Sequence, residues 1–220
     1  MGSMIDFKRP DGSTCKGYLA EAGSGKPGIV VIQEWWGLND QIKGVADRFA
    51  AAGYNALAPD LYQGRVTQKP DEANHMMSGL DFVGASDQDI AGAVRHLAAT
   101  SRKVGVMGFC LGGLLSFLTA ARIGADAAIA YYPGNADKYL GEAPQIGTPL
   151  LVHLAEEDEY IAKPAQALIT DALARRPTAR TFSYAGCSHA FARHGGAHHD
   201  AGAAILANGR SADFLARHLK

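Results

Sequence analysis

Runs of consecutive apolar residues alternate along the chain with stretches whose apolar positions recur every three or four residues. Residues 28–33 (GIVVIQ) have the length and composition of a strand buried on both faces. Ile42, Val45, Ala46 and Phe49 follow at helical spacing, and Gly53 supplies a stop. Residues 54–58 (YNALA) read as the next strand, ended by Pro59, and the polar stretch 59–71 as a loop long enough to shape a pocket rim. Ser86 is placed to cap a helix whose inner face is Ile90, Ala93, Val94 and Leu97. Further strands are predicted at 103–107, 127–132, 150–154 and 181–184, with helices at 111–122 and 205–219. Another helix starts at Pro164, with Ala165, Leu168, Ile169 and Ala172 facing inward. Strand and helix alternate without a linker, a repeat or a shift in composition. The order predicts an α/β fold built on one doubly wound, mostly parallel sheet with helices on both faces. Residues 1–3, ahead of Met4, read as an expression leader, and 4–220 as a single domain.

Composition narrows the partners. The 220 residues carry 21 Lys+Arg against 22 Asp+Glu, a net charge of −1, so no basic face is available for nucleic acid or an anionic membrane. No apolar stretch approaches the ~20 residues of a membrane-spanning helix. Three scattered cysteines, Cys15, Cys110 and Cys187, offer neither a disulfide framework nor a Cys-x-x-Cys metal pair, which points to the cytoplasm. His194, His198, His199 and Asp200 imitate a metal cluster but lack regular spacing, so neither metal nor cofactor is expected. A small molecule acted on by a monomer is the remaining expectation.

In a doubly wound sheet, reactive groups lie where strands end. Residues 108–113 (GFCLGG) sit between a predicted strand and a predicted helix, the context of a nucleophile elbow with Cys110 in place of serine. Flanking glycines are needed because the backbone folds back on itself there, where side chains would collide. A helix N-terminus beside the sulfur favours thiolate, and the Leu111 N–H is free to face an oxyanion. A base and an orienting acid must follow in that chain order. Strand 150–154 runs into Ala155-Glu156-Glu157-Asp158-Glu159, and strand 181–184 is followed by Gly186-Cys187-Ser188-His189. Asp158 and His189 complete a plausible triad, although spacing alone leaves the choice among the four acids open. Glu34 and Trp35, at the end of strand 28–33, present a second carboxylate and a second oxyanion N–H; a strand-end acid paired with a structural cation is an equal alternative for Glu34. Tyr131 and Tyr132 also follow a strand and are candidates for the pocket wall.

With these residues the chain resembles the dienelactone hydrolase (carboxymethylenebutenolidase) family of the α/β-hydrolase fold, from about residue 5 to 219. The likeness rests on Gln33-Glu34-Trp35-Trp36-Gly37-Leu38-Asn39, Ala58-Pro59-Asp60-Leu61-Tyr62, Gly108-Phe109-Cys110-Leu111-Gly112-Gly113, Ala155-Glu156-Glu157-Asp158 and Gly186-Cys187-Ser188-His189-Ala190-Phe191. It implies a Cys110–His189–Asp158 triad, with Glu34 contacting the thiol and helping to form thiolate when substrate arrives. It also implies hydrolysis of enol lactones or activated esters through a thioester acyl-enzyme, with Arg193, Trp36 and Tyr132 at the substrate and Arg193 holding a substrate carboxylate. The chain departs from the family where a second such arginine would fall. Its nearest cations there are Arg65 and Lys69, and Asn74 and Met77 stand where aromatic residues are expected. A thiol redox protein pairing Cys110 with Cys187 is the competing reading.

Overall fold

The computed structural model describes residues 1–220. Eight strands form one sheet: β1 (Ser3–Lys8), β2 (Thr14–Ala20), β3 (Gly28–Ile32), β4 (Asn55–Pro59), β5 (Val104–Phe109), β6 (Ala127–Tyr131), β7 (Leu150–Ala155) and β8 (Ala179–Tyr184). Their order across the sheet is β1-β2-β4-β3-β5-β6-β7-β8. The β1–β2 and β2–β4 pairs are antiparallel, and the remaining pairs are parallel. Every residue of β3, β4, β5, β6 and β7 is buried. That is the signature of parallel strands covered on both faces, and it is why these five read as short, mostly apolar runs, with Asn55 in β4 and His153 in β7 as polar interruptions.

Helices α1 (Asp40–Ala51) and α7 (Ala201–Leu219) cover one face. Helices α4 (Ala91–Ala98), α5 (Leu111–Arg122) and α6 (Lys163–Ala174) cover the other. Short helices α2 (Pro70–Ser78) and α3 (Phe82–Gly84) lie ahead of a π-helical turn (Ala85–Ile90) that leads into α4. No helix is long and apolar enough to cross a membrane.

Several expectations are corrected. Ser86 does not cap: it is buried within the π-helical turn, and Asp81 caps the segment instead, accepting from the Gly84 N–H at 3.0 Å. Leu168 is exposed, and the inner face of α6 is Gln166, Ile169 and Leu173. Helix α7 begins at Ala201 rather than 205, because Asp200 caps it by accepting from the Ala203 N–H at 2.8 Å. Part of the predicted 59–71 loop is the start of α2. Gly2 and Ser3, whatever their origin, join the fold: Ser3 opens β1, and the Gly2 N–H donates to the Tyr18 hydroxyl at 2.8 Å.

Strands β3 and β4 progress towards one edge of the sheet, whereas β5 through β8 progress towards the other. The reversal lies between β3 and β5, and a crevice opens at their carboxyl ends. Glu34 follows β3 by two residues and Cys110 follows β5 directly.

Candidate active site

Cys110 sits at φ 56°, ψ −113° between β5 and α5. An L residue is strained there, and the neighbouring glycines show what enforces it. A Cβ on Gly108 would overlap the Gly112 backbone, and one on Gly113 would overlap the Tyr131 carbonyl. The strand end and helix start are therefore pressed together, leaving the residue at the apex to project outward. The Cys110 N–H is tied to the Tyr131 carbonyl at 3.0 Å, and its own carbonyl accepts from Leu114 at 3.1 Å. Tyr132, Asn135 and Ala190, at φ 36°, 63° and 63°, place further strained backbone around the same crevice.

The acidic loop after β7 sorts itself by partner. Glu156 accepts from the Gly186 N–H at 3.0 Å, Glu157 pairs with Lys163 at 2.7 Å, and Glu159 accepts from the His189 N–H at 3.1 Å. Asp158 alone meets the imidazole, with Oδ2 2.8 Å and Oδ1 3.0 Å from His189 Nδ1. Its carboxylate is itself fixed by the Tyr160 and Ile161 N–H groups at 2.9 and 3.0 Å. Both Asp158 and His189 are buried. Burial alone would lower the imidazole pKa; the Asp158 hydrogen bond and the nearby Cys110 sulfur overcome it and raise it to about 10. With Nδ1 taken by Asp158, Nε2 is left without an aligned hydrogen-bond partner, on the side of the ring available to the sulfur.

Cys110 and His189 share a cavity of about 310 Å³ with Leu111, Trp35, Trp36 and Glu34. The Leu111 N–H, in the first turn of α5, has no helical carbonyl to bond, and the Trp35 N–H makes no backbone hydrogen bond. Glu34 is buried and faces Arg193, whose Nε lies 3.5 Å from Oε2. Burial pushes the Glu34 pKa up, against the opposing pull of Arg193 and His189. It makes no hydrogen bond to the thiol here and pairs instead with a cation, the alternative that the sequence left open; the contact with the thiol implied by the resemblance belongs to the substrate complex. Tyr132 is not on the cavity wall. It is fully buried behind the site, its ring 4.9 Å from that of His189 and 5.7 Å from that of Phe191.

The sequence profile of the dienelactone hydrolase family matches residues 15–219. The chain belongs to that family. A carboxymethylenebutenolidase of Pseudomonas putida is 33% identical, with 96% of this chain and 95% of its own length aligned. A protein of Azospirillum brasilense, provisionally named a carboxymethylenebutenolidase, is 38% identical over 98% of this chain and 100% of its own. Among solved structures, a dienelactone hydrolase-like promiscuous phosphotriesterase from metagenomic libraries superposes with a TM-score of 0.85 at 22% identity, covering 100% of this chain and 99% of that one. The α/β-hydrolase fold is thereby shared, and the chain is a hydrolase of the dienelactone hydrolase family.

Within this dienelactone hydrolase family member, four residues at the site escaped sequence reasoning. The Tyr160 ring lies 4.9 Å from that of His189 and 6.1 Å from that of Trp35. Its one signal was an aromatic directly after the acid cluster. Gln41 accepts from Arg193 Nε at 3.1 Å, which no motif announced. The Tyr62 hydroxyl is buried without a partner in the field of Cys110. Glu159 was one of four equivalent acids until the fold placed it between His189 and His198. The imitation metal cluster does not assemble, since no group of three or more potential ligands converges anywhere. Cys187 lines a separate surface cleft with Ser183, Asp200 and Leu206, whereas Cys110 lines the main cavity.

Proposed function

We propose that the protein hydrolyses enol lactones or activated carboxylic esters with Cys110 as nucleophile. The observation that carries this reading is the Asp158–His189 pair, which leaves imidazole Nε2 unpartnered beside a cysteine held at a strained strand-to-helix apex. His189 takes the thiol proton, and the thiolate sulfur attacks the carbonyl carbon. Charge developing on the carbonyl oxygen is met by the Leu111 and Trp35 N–H groups. Collapse of the adduct breaks the acyl C–O bond, leaving a thioester on Cys110 and the leaving oxygen as enolate or phenolate. Water then attacks the thioester, its proton passing, in a lactone, to the still-tethered enolate or, in an open ester, to His189 after the imidazolium has given the thiol proton to the departing phenolate. The sulfur departs as thiolate and the acid is released.

A thiolate leaves a tetrahedral adduct more readily than a poor alkoxide does. Substrates with good oxygen leaving groups therefore suit this nucleophile better than alkyl esters or amides. Glu34, held on Arg193, contributes by fixing that guanidinium, and thiol ionisation rests on His189. The placement of Cys187 in a separate cleft argues against a redox pair with Cys110.

Cys110→Ala should abolish turnover of a p-nitrophenyl ester while leaving the thermal unfolding midpoint within a few degrees of wild type. Retained turnover would remove the nucleophile.

A further inference from the structure

We propose that Tyr160 sets specificity on the leaving-group side of the site, its exposed ring packing against the flat aryl or enol group that departs. The inference rests on the cysteine hydrolase reading above and names which part of the substrate meets which wall.

The reaction itself assigns sides to the cavity. The carbonyl oxygen is turned to the Leu111 and Trp35 N–H groups. The departing oxygen, aryl or enol, also gains negative charge, and the one cation formed in the reaction is the His189 imidazolium. That oxygen therefore lies beside Nε2, and whatever it carries leads out along the His189 side. Sheet order shows what stands there. Cys110 follows β5, near the middle of the sheet, whereas Tyr160 comes from the loop after β7 and His189 from the segment after β8. Met77 of α2 and Phe82 of α3 belong to the connection after β4, which lies beyond β3 on the other side of Cys110. Both groups line the same cavity, so the acyl portion is left to face Met77 and Phe82.

The Tyr160 ring is built for contact with a planar group. It lies 4.9 Å from the His189 ring and 6.1 Å from the Trp35 ring, inclined at 67° to each. Two aromatic walls thus meet in a steep corner beside the imidazole. A flat ring standing in that corner packs against one wall and presents its edge to the other, which a branched alkyl group cannot do. Despite its two aromatic neighbours, Tyr160 is 61% exposed, so much of the ring is open at the cavity mouth. The ring is also not what fixes the acid: the Tyr160 backbone N–H holds Asp158 Oδ1 at 2.9 Å, and alanine would supply the same group.

The test pairs two acetates whose leaving alcohols are of nearly equal acidity, p-chlorophenyl acetate and hexafluoroisopropyl acetate. The shape of the leaving group is then compared at matched reactivity. Both form the same acetyl-enzyme, and kcat/KM reports only the steps up to departure of the alcohol. Tyr160→Ala should lower the aryl-to-fluoroalkyl ratio of kcat/KM roughly three- to tenfold, the worth of one aromatic contact. Tyr160→Phe should keep the wild-type ratio. The preference between p-chlorophenyl acetate and p-chlorophenyl pentanoate, which differ only in the acyl group, should not move in Tyr160→Ala. An equal loss for both acetates would mean that the ring only props His189; it would overturn the proposal and leave the cysteine hydrolase reading standing. A shifted acyl preference with an unchanged leaving-group ratio would overturn it as well. Should Cys110→Ala keep wild-type turnover of both acetates, the cysteine hydrolase reading falls, and this inference with it.

Discussion

Cys110 owes its place at the apex of the turn to what its neighbours lack. Gly108, Gly112 and Gly113 occupy positions where any side chain would strike backbone, so the requirement for glycine was written locally and was legible in the sequence. The choice of acid was not. Asp158 differs from Glu156, Glu157 and Glu159 only in the partners that Gly186, Lys163 and the His189 backbone supply to the others, across up to thirty residues. Asp158→Asn should keep the ring near its place but disturb its proton, lowering kcat roughly 10³- to 10⁴-fold, measured with an activated ester. The imidazole also links stability to pH. Its folded-state pKa, about 10, stands above the ordinary 6.5, so the folded state retains a proton that the unfolded chain releases. This contribution is fully present below pH 6.5 and is lost as pH rises towards 10. Urea midpoints should therefore fall over that window in wild type and fall less in His189→Gln.

Among the elements, α5 decides the site because it is jammed between strands. A methyl at Gly112 would meet the Ile32 and Gln33 carbonyls, backbone that has nowhere to move. Gly112→Ala should destabilise the fold by about 1–3 kcal/mol or more in chemical denaturation and reduce activity in parallel. An unchanged midpoint would mean that α5 is not clamped as described. The buried parallel strands were legible because both faces are covered, which removes the alternation that confuses short segments. Of the β1–β2 hairpin, the sequence shows only a strand starting near Cys15, because the pair is antiparallel at a sheet edge, with mixed exposure and no apolar run. Helix α2 buries only Ala73 and Met76, too few positions to leave a helical period in the sequence. Leu168 was assigned inward by residue type, whereas the period set by Gln166, Ile169 and Leu173 turns it to solvent.

Across the whole molecule, a buried polar chain fastens α7 to the sheet. His153 of β7 lies 2.9 Å from Ser211 Oγ and 2.8 Å from the Tyr184 hydroxyl, and Ser211 is 2.8 Å from the Tyr131 hydroxyl. Burial, with help from Arg210, lowers the His153 pKa to about 3, so the folded state keeps the ring neutral. The unfolded chain takes up a proton below pH 6.5, and stability should be lost as pH falls from there towards 3. His153→Gln should flatten part of that acid limb in calorimetry. The same global frame brings four separated segments to one crevice, with Cys110 after β5, Glu34 after β3, Asp158 after β7 and His189 after β8. Chain order and strand ends made this convergence readable. The pairing of Glu34 with Arg193 was not, because it joins residues on loops that only the finished sheet brings together. Hydrolysis by Cys110 requires a thioester on its sulfur. Mass spectrometry of protein quenched in acid during turnover of p-nitrophenyl pentanoate should show one added acyl group, and peptide mapping should place it on residues 108–113. Turnover without an adduct there, or an adduct carried by another residue, would contradict it.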